Sequence, residues 1–128
     1  MQANLSTNDI AVHVISEYIA DQSNATENRF VFAYHVRIEN HGNLPAQLLS
    51  RHWIITDGNQ KVQEVKGEGV IGEQPTIMPG EIFEYSSGAV LQTPVGSMKG
   101  SYQMVDTTGS IFDAPIPIFT LASPTALH

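Results

Sequence analysis

The feature that most constrains this fold is a period of two in the positions of the apolar residues. It is clearest between Arg29 and Asn40, where large apolar side chains alternate with smaller or polar ones. Successive side chains of a β-strand point to opposite faces, so the pattern predicts a strand with one buried and one wetter face. The buried face would carry Phe30, Phe32, Tyr34, Val36 and Ile38.

Similar periodicity and shorter apolar runs predict six further strands. They span residues 10–19, 48–57, 62–66, 82–91, 98–106 and 111–121. In the second of these segments, one side of the strand would carry Leu49, Arg51, Trp53 and Ile55. Turn sequences separate several of the segments, among them Asp57-Gly58-Asn59, Pro79-Gly80 and Asp106-Thr107-Thr108-Gly109.

No segment combines helical spacing with capping residues over three turns, and Gly and Pro recur too often for a long helix. About seven to eight short strands at this spacing predict an all-β fold. The expected architecture is an antiparallel two-sheet sandwich of the fibronectin type III or immunoglobulin-like kind. The whole chain, residues 1–128, is expected to form one domain.

Two details favour an immunoglobulin or fibronectin-like version of the sandwich. Trp53 lies in the third strand, where such domains often bury a Trp, and the segment from Gly100 to Met104 resembles their Gly-x-Tyr-x-Cys corner with Met in place of Cys. Pro115 and Pro117 cannot donate ladder hydrogen bonds. The last strand is therefore predicted to be an edge strand or to be bulged.

Charge and cysteine content exclude several classes of function. The formal charge of -7 disfavours binding to nucleic acid and to anionic membranes. There are no cysteines, so disulfides, thiolate nucleophiles and Cys-ligated zinc are absent. The N-terminus has neither a basic start nor an apolar stretch, and no apolar run is long enough for a membrane span. We expect a cytoplasmic protein.

The most distinctive local motif is the run from Gly67 to Gly72, which matches the Gly-x-Gly-x-x-Gly dinucleotide fingerprint. Pro75 follows closely, so no helix can begin there and a Rossmann unit is disfavoured. One alternative is a backbone nest that binds pyrophosphate or a nucleotide through Lys66, Gly67, Gly69 and Gly72. The other is that the glycines permit positive φ angles in a turn or bulge.

Metal and catalytic interpretations have less support from the sequence. His13 and His35 fall on the wetter faces of their strands and would meet around a divalent ion if those strands pair. A run of carboxylates offers a weak Mg²⁺ site, at Glu64, Glu68, Glu73, Glu81 and Glu84. Unliganded surface residues are the simpler interpretation of both sets, so we predict no metal site and no cofactor. No nucleophile is placed beside a base, so no catalytic residue is predicted and the protein is expected not to be an enzyme.

Several longer motifs together resemble the bacterial ApaG family, and the resemblance covers essentially the whole chain. They include the glycine run continued through Pro75, the segment from Met78 to Gly88, and Ala114-Pro115-Ile116-Pro117. Arg29-Phe30-Val31-Phe32-Ala33-Tyr34, Leu48-Leu49-Ser50-Arg51-His52-Trp53 and the closing residues 124–128 are also similar to that family.

The resemblance implies a fibronectin type III-like sandwich and an association with cobalt tolerance and magnesium efflux, without a settled biochemical activity. It also implies that the glycine motif is a candidate for pyrophosphate or nucleotide binding. Domains of this family occur inside larger eukaryotic proteins, including F-box proteins, as interaction modules. We therefore expect a non-enzymatic domain that docks a protein partner. Pyrophosphate or nucleotide binding and weak divalent-cation binding are the alternatives, and a homo-oligomer is left open.

Overall fold

The computed structural model describes residues 8–124. The N-terminal segment and the family-like tail discussed above lie outside these residues, apart from Pro124. Two short 3-10 turns, Ala20–Gln22 and Ala25–Glu27, follow the first strand. The strands are β1 (Ile10–Tyr18), β2 (Phe30–Asn40), β3 (Ala46–Asp57), β4 (Val62–Glu68), β5 (Thr76–Ile77), β6 (Ile82–Leu91), β7 (Val95–Asp106) and β8 (Ile111–Ala122).

The strands form two antiparallel sheets, which confirms the predicted sandwich. The smaller sheet has three strands in the order β1-β2-β6. The larger has five, with the order β4-β3-β7-β8 and the short β5 paired to the start of β3. The two-residue β5 is an addition to the strands that periodicity predicts, because two residues are too short to show a period. The finer fibronectin type III assignment stays a prediction.

The core between the sheets is built around Trp53. This side chain is only 2% exposed, and its ring lies 5.4 Å from the ring of Tyr34 in the other sheet. It also makes edge-on contacts with Tyr102 and Phe119 in its own sheet. Edge-to-face pairs of this kind add about 0.5–1.5 kcal/mol each beyond the burial of their area. The predicted burial of Trp53 is confirmed.

Strand β3 departs from the predicted alternation at one residue. Its pairing with β7 shifts register between Leu48 and Ser50, which is the mark of a β-bulge. Before the bulge the buried residue is Leu48, and after it the inward side carries Arg51 and Trp53. The prediction that Leu49 shares the side of Arg51 was therefore wrong, because an inserted residue reverses the facing of everything before it.

Strand β8 carries both prolines and pairs only with β7, so the predicted edge position is confirmed. The register of that pair also shifts between Met98 and Gly100. Tyr102 differs from the expected corner, because its hydroxyl bonds to the hydroxyl of Tyr85 across the sandwich. In residues 8–124 no helix has the length and apolar character needed to cross a bilayer.

The two long sides of the sandwich are not alike. On one side β1 packs along β8, and the Ser16 hydroxyl donates to the Thr120 carbonyl at 2.9 Å. On the other side β4 and β6 are the terminal strands of their sheets, and neither has a further strand beside it. The sandwich is thus closed along β1 and β8 and open along β4 and β6.

The β7–β8 turn is organised by the carboxylate of Asp106. Its Oδ1 accepts hydrogen bonds from the Thr108 hydroxyl and from the amides of Thr108 and Ser110, at 2.5, 2.8 and 3.2 Å. Asn8 donates to Oδ2 at 2.9 Å. The Thr108 hydroxyl, followed by Asn8 and the backbone donors, lowers the pKa of Asp106 to about 2. The predicted turn at Asp106–Gly109 is confirmed by the Gly109 amide, which bonds to the Asp106 carbonyl at 3.0 Å.

We expect Asp106→Asn to lower thermal stability at neutral pH and to matter less as the solution is acidified. A group whose pKa is depressed by folding stabilises the protein above its unfolded pKa, here near 3.8, and loses that effect as pH falls through about 2. The measurement is Tm against pH for both proteins. Asp113→Asn, an exposed change in β8, is the control. A Tm difference that stays constant down to the lowest pH would contradict the assignment.

Candidate binding cleft

An open groove, the β4–β6 cleft, runs along the open side of the sandwich. It consists of three adjoining cavities, of about 270, 340 and 360 Å³, that share wall residues. One end is lined by Lys61 and Asp57, and the other by Arg51 and the glycine run. The middle has a mixed polar and apolar wall, in which Ile55, Val65, Ala89 and Val90 lie beside Gln63, Ser87 and the nearly buried Trp53 and Met98.

Both edges of this cleft present unpaired backbone groups. The Asp57 amide bonds to the Lys61 carbonyl, and the Gly69 amide bonds to the Leu49 carbonyl. In an antiparallel ladder only every second residue pair is hydrogen-bonded, and the two bonds just named show which pairs these are. The backbone groups of Val65 therefore bond to β3, whereas those of Glu64 point away from the sheet. The Asn40 amide bonds to the Glu81 carbonyl at 3.1 Å, and the same alternation leaves outward-pointing groups along β6.

Arg51 reaches into the glycine end of the cleft from the inward face of β3. Its Nη1 donates to the carbonyl oxygens of Glu68 and Gly69, at 3.0 and 2.9 Å. Gly67 lies directly opposite Arg51 in the ladder, and a Cβ there would stand 2.7 Å from the guanidinium carbon. Gly67 therefore makes room for the Arg51 side chain.

Arg51 differs from the other cations of the chain. It is half-buried, whereas the remaining five Lys and Arg residues are exposed. Among residues 8–124, the ion pairs within 4.0 Å involve His13, Arg37, His41, His35 and His52, and none involves Arg51. The guanidinium is thus held by neutral carbonyls and has no carboxylate partner in the described structure.

Two buried tyrosines supply a second donor at the same end. The hydroxyls of Tyr85 and Tyr102 are 2.5 Å apart, and burial raises the pKa of both well above the ordinary range, so both stay protonated. Tyr102 is fully buried, and Tyr85 is its only hydrogen-bond partner in the described chain. We infer that Tyr102 donates to Tyr85, because the buried Tyr102 proton has no other acceptor among residues 8–124, whereas Tyr85 lines a cavity into which its own proton can point.

Tyr34 supplies the third donor. Its ring packs on Trp53 and Phe119, and the residue is 6% exposed. Its side chain lines the same cavity as Arg51 and Tyr85. None of the hydrogen bonds within residues 8–124 involves its hydroxyl, which is not fully buried and is open to the cavity.

The glycine run folds into a tight hairpin above this cavity. Val70 and Glu73 exchange both backbone hydrogen bonds, at 2.8 and 2.9 Å, and enclose two residues with φ of 45° and 78°. Positive φ at both central positions defines a type I′ turn. Gly72 suits its position, but Ile71 is β-branched and strained there. At Gly69, with φ of 61°, a Cβ would lie 2.2 Å from the Glu73 carbonyl oxygen.

The predicted pyrophosphate residues do not all converge. Gly67, Gly69 and Gly72 lie around the cleft end, in the roles just described. Lys66 is next to Gly67 in β4 and points to the opposite face of the sheet, where it lies across from His52. The cation beside the glycines is therefore Arg51, and pyrophosphate binding stays a prediction.

His35 and His52 each pair with one carboxylate, whereas His13 and His41 share Glu39 with Arg37. His13 lies opposite Arg37 and His35 opposite Ile15, so the two rings are diagonal neighbours. His35 contacts Glu84 at 2.7 Å, and His52 contacts Glu64 at 2.5 Å. Within residues 8–124 no three His, Asp or Glu side chains come together as a metal-binding group.

Sequence reasoning missed Arg51, Tyr34 and Tyr85 as a group. The signal for Arg51 was present, since it alternates with Trp53 on a face that is otherwise apolar, and a charge on such a face needs a partner. No sequence signal could have joined it to the tyrosines, because their proximity depends on which strands end up facing one another.

Comparison with known proteins agrees with this fold. The sequence model of the ApaG domain matches residues 20–106. The chain belongs to the ApaG family. An ApaG protein from Aromatoleum aromaticum is 60% identical over 119 residues, covering 93% of this chain and 94% of its own length, and one from Pseudomonas aeruginosa matches equally well.

The three-dimensional structure is also similar to that of a related protein. A crystal structure from Bordetella pertussis, described as that of an ApaA protein, superposes with a TM-score of 0.91 at 50% identity. The match covers 94% of this chain and 98% of that one. The predicted family resemblance is thereby confirmed over both sheets.

Within this ApaG chain we expect Gly69→Ala to be far more destabilising than Gly72→Ala. Both replace a positive-φ glycine, which costs roughly 1–2 kcal/mol, but only Gly69 would also drive a Cβ into the Glu73 carbonyl. We expect a loss of about 3 kcal/mol or more at Gly69. Urea unfolding monitored by Trp53 fluorescence measures both. Equal losses would mean that the hairpin is not built as described.

Replacing Ile71 with Asn should stabilise the protein by about 1 kcal/mol, because Asn-Gly is the preferred pair for a type I′ turn and Ile is strained there. Ile111→Asn is the matched control, since Ile111 is similarly exposed, at 62% against 57%, and has no positive φ. The same unfolding assay compares the two. A loss of stability at Ile71 would refute the strain.

Proposed function

We propose that this protein is a non-enzymatic binding domain that docks an extended segment of a protein partner in the β4–β6 cleft. The observation that carries the proposal is the open side of the sandwich, where a groove with both apolar and polar wall residues lies between two strand edges whose alternate backbone groups point outward. An extended chain placed there would bury its side chains in the groove and pair its backbone with an edge.

The chemistry of the cleft supports binding over catalysis. The hydroxyl-bearing residues of the central wall are Tyr34 and Ser87, and within residues 8–124 no His or carboxylate is hydrogen-bonded to either hydroxyl. The described histidines lie in a loop or on the outer faces of the sheets, away from the groove. A nucleophile needs such a base to become reactive.

A partner-docking role also accommodates what the family resemblance implies. A cytoplasmic interaction domain would influence cobalt tolerance or magnesium efflux through the protein it binds. It would not need a metal site of its own. This part of the proposal depends on the family alone.

Selection of peptides from a displayed random library on the purified protein, followed by affinity measurement, tests the proposal. The informative pair is Ser87→Trp and Ser86→Trp, neighbouring exposed residues of β6 whose side chains point into the cleft and away from it. We expect Ser87→Trp to weaken the selected peptides by about tenfold or more, which corresponds to roughly 1.4 kcal/mol. Ser86→Trp should leave their affinity unchanged.

Two outcomes would count against cleft docking. If the wild-type protein enriches no peptide, an extended segment is not the ligand. If both Trp variants bind the peptides as the wild type does, the binding surface lies elsewhere.

A further inference from the structure

We propose that the glycine end of the β4–β6 cleft is a carboxylate-binding site, formed by the guanidinium of Arg51 and the hydroxyls of Tyr34 and Tyr85. In a docked partner the carboxylate would belong to an acidic residue of the extended segment. That last assignment rests on the proposed function, whereas the carboxylate site itself stands on the cavity that these three side chains line together.

The three side chains together carry more hydrogen-bond donors than they have acceptors in residues 8–124. Arg51 uses Nη1 for two backbone carbonyls and has further N–H groups without a partner in residues 8–124. Tyr85 has a proton to donate once it accepts from Tyr102. The Tyr34 hydroxyl makes no hydrogen bond to any other residue of 8–124 and lines the same cavity. A ligand that satisfies all three must be an acceptor, and an anionic one is favoured because the guanidinium has no counter-charge.

Charge count favours a carboxylate over pyrophosphate. Among residues 8–124, Arg51 is the single cation that lines this cavity. One guanidinium matches one planar carboxylate, with two parallel hydrogen bonds. A pyrophosphate would bring several negative charges to a cavity with only that one cation to offset them.

The rest of the cleft fits an organic acid with an apolar body. Beyond Tyr34 the wall continues with Trp53, Val65 and Met98. An apolar group attached to the carboxylate would contact this wall and so be removed from water. The hairpin tip at Ile71 covers the same cavity with an exposed aliphatic side chain. An inorganic anion would leave all of this surface unused.

Titration with phenylbutyrate, monitored by the NMR signals of the Arg51 side chain and of the Gly67–Gly72 amides, tests the site. We expect saturable shifts with Kd on the order of 1 mM. The neutral amide of the same acid should bind at least about tenfold more weakly, since it lacks the charge that Arg51 would pair with.

Tyr34→Phe separates a binding role from a structural one. Its hydroxyl has no hydrogen-bond partner in the described part of the chain, so removing it should leave Tm unchanged while weakening phenylbutyrate binding by roughly fivefold, the value of one hydrogen bond. Tyr18→Phe, whose hydroxyl also makes no hydrogen bond within residues 8–124, is the control and should change neither quantity. Arg51→Lys should weaken binding by about tenfold, because a point charge cannot form the paired bonds.

The site is wrong if phenylbutyrate moves none of these signals, or if Tyr34→Phe and Tyr18→Phe bind it equally. If pyrophosphate shifts the same signals at lower concentration than phenylbutyrate, the carboxylate class is wrong. None of these results depends on peptide selection. If phenylbutyrate binds at Arg51 but no peptide is selected, only the protein partner is excluded. If peptides are selected but phenylbutyrate does not bind at Arg51, only the Arg51 site is excluded.

Discussion

The packing of Trp53 between the two sheets is the contact on which the architecture depends. Its ring belongs to the five-stranded sheet and meets Tyr34 of the three-stranded sheet, so it sets the separation of the sheets at the centre of the sandwich. On one side of this contact β1 and β8 close the gap. On the other side no strand does so, and the same ring becomes part of the wall of a cleft. One residue thus serves both the core and the candidate site.

The sequence predicted most of the architecture because alternation is a local property. Apolar positions two apart identify β2 whatever it packs against, and the Asp106 turn is specified by residues within a few positions of it. Leu49 could not be placed, since the bulge at that residue is decided by pairing with β7, more than 50 residues away. The partners of Arg51 were hidden for the same reason, because Tyr34 and Tyr85 reach it from the other sheet.

The glycine run shows how one pattern can arise from unrelated requirements. Gly69 is needed because a Cβ would strike the Glu73 carbonyl, and Gly72 sits in the left-handed region with open space around it. At Gly67 the absence of a side chain leaves room for the Arg51 guanidinium. A dinucleotide fingerprint requires glycines for close approach to phosphate beside a helix N-terminus. Here the hairpin accounts for Gly69 and Gly72 and the space occupied by the Arg51 side chain accounts for Gly67, so the spacing arises without a ligand.

Two features at the glycine end of the cleft lower the stability of the folded protein, and both belong to the same cavity. Ile71 occupies a backbone region that Asn or Gly would fill without strain, and the Arg51 guanidinium is half-buried with no carboxylate beside it. A partly buried charge without a counter-ion costs free energy that a neutral side chain of similar size would avoid. Local conflicts of this sort concentrate at functional sites, where a ligand supplies what the protein leaves out. The group that is missing here is an anion with one negative charge and oxygen atoms that accept hydrogen bonds. A carboxylate in the cleft would supply that charge and at the same time give the hydroxyl of Tyr34 its partner.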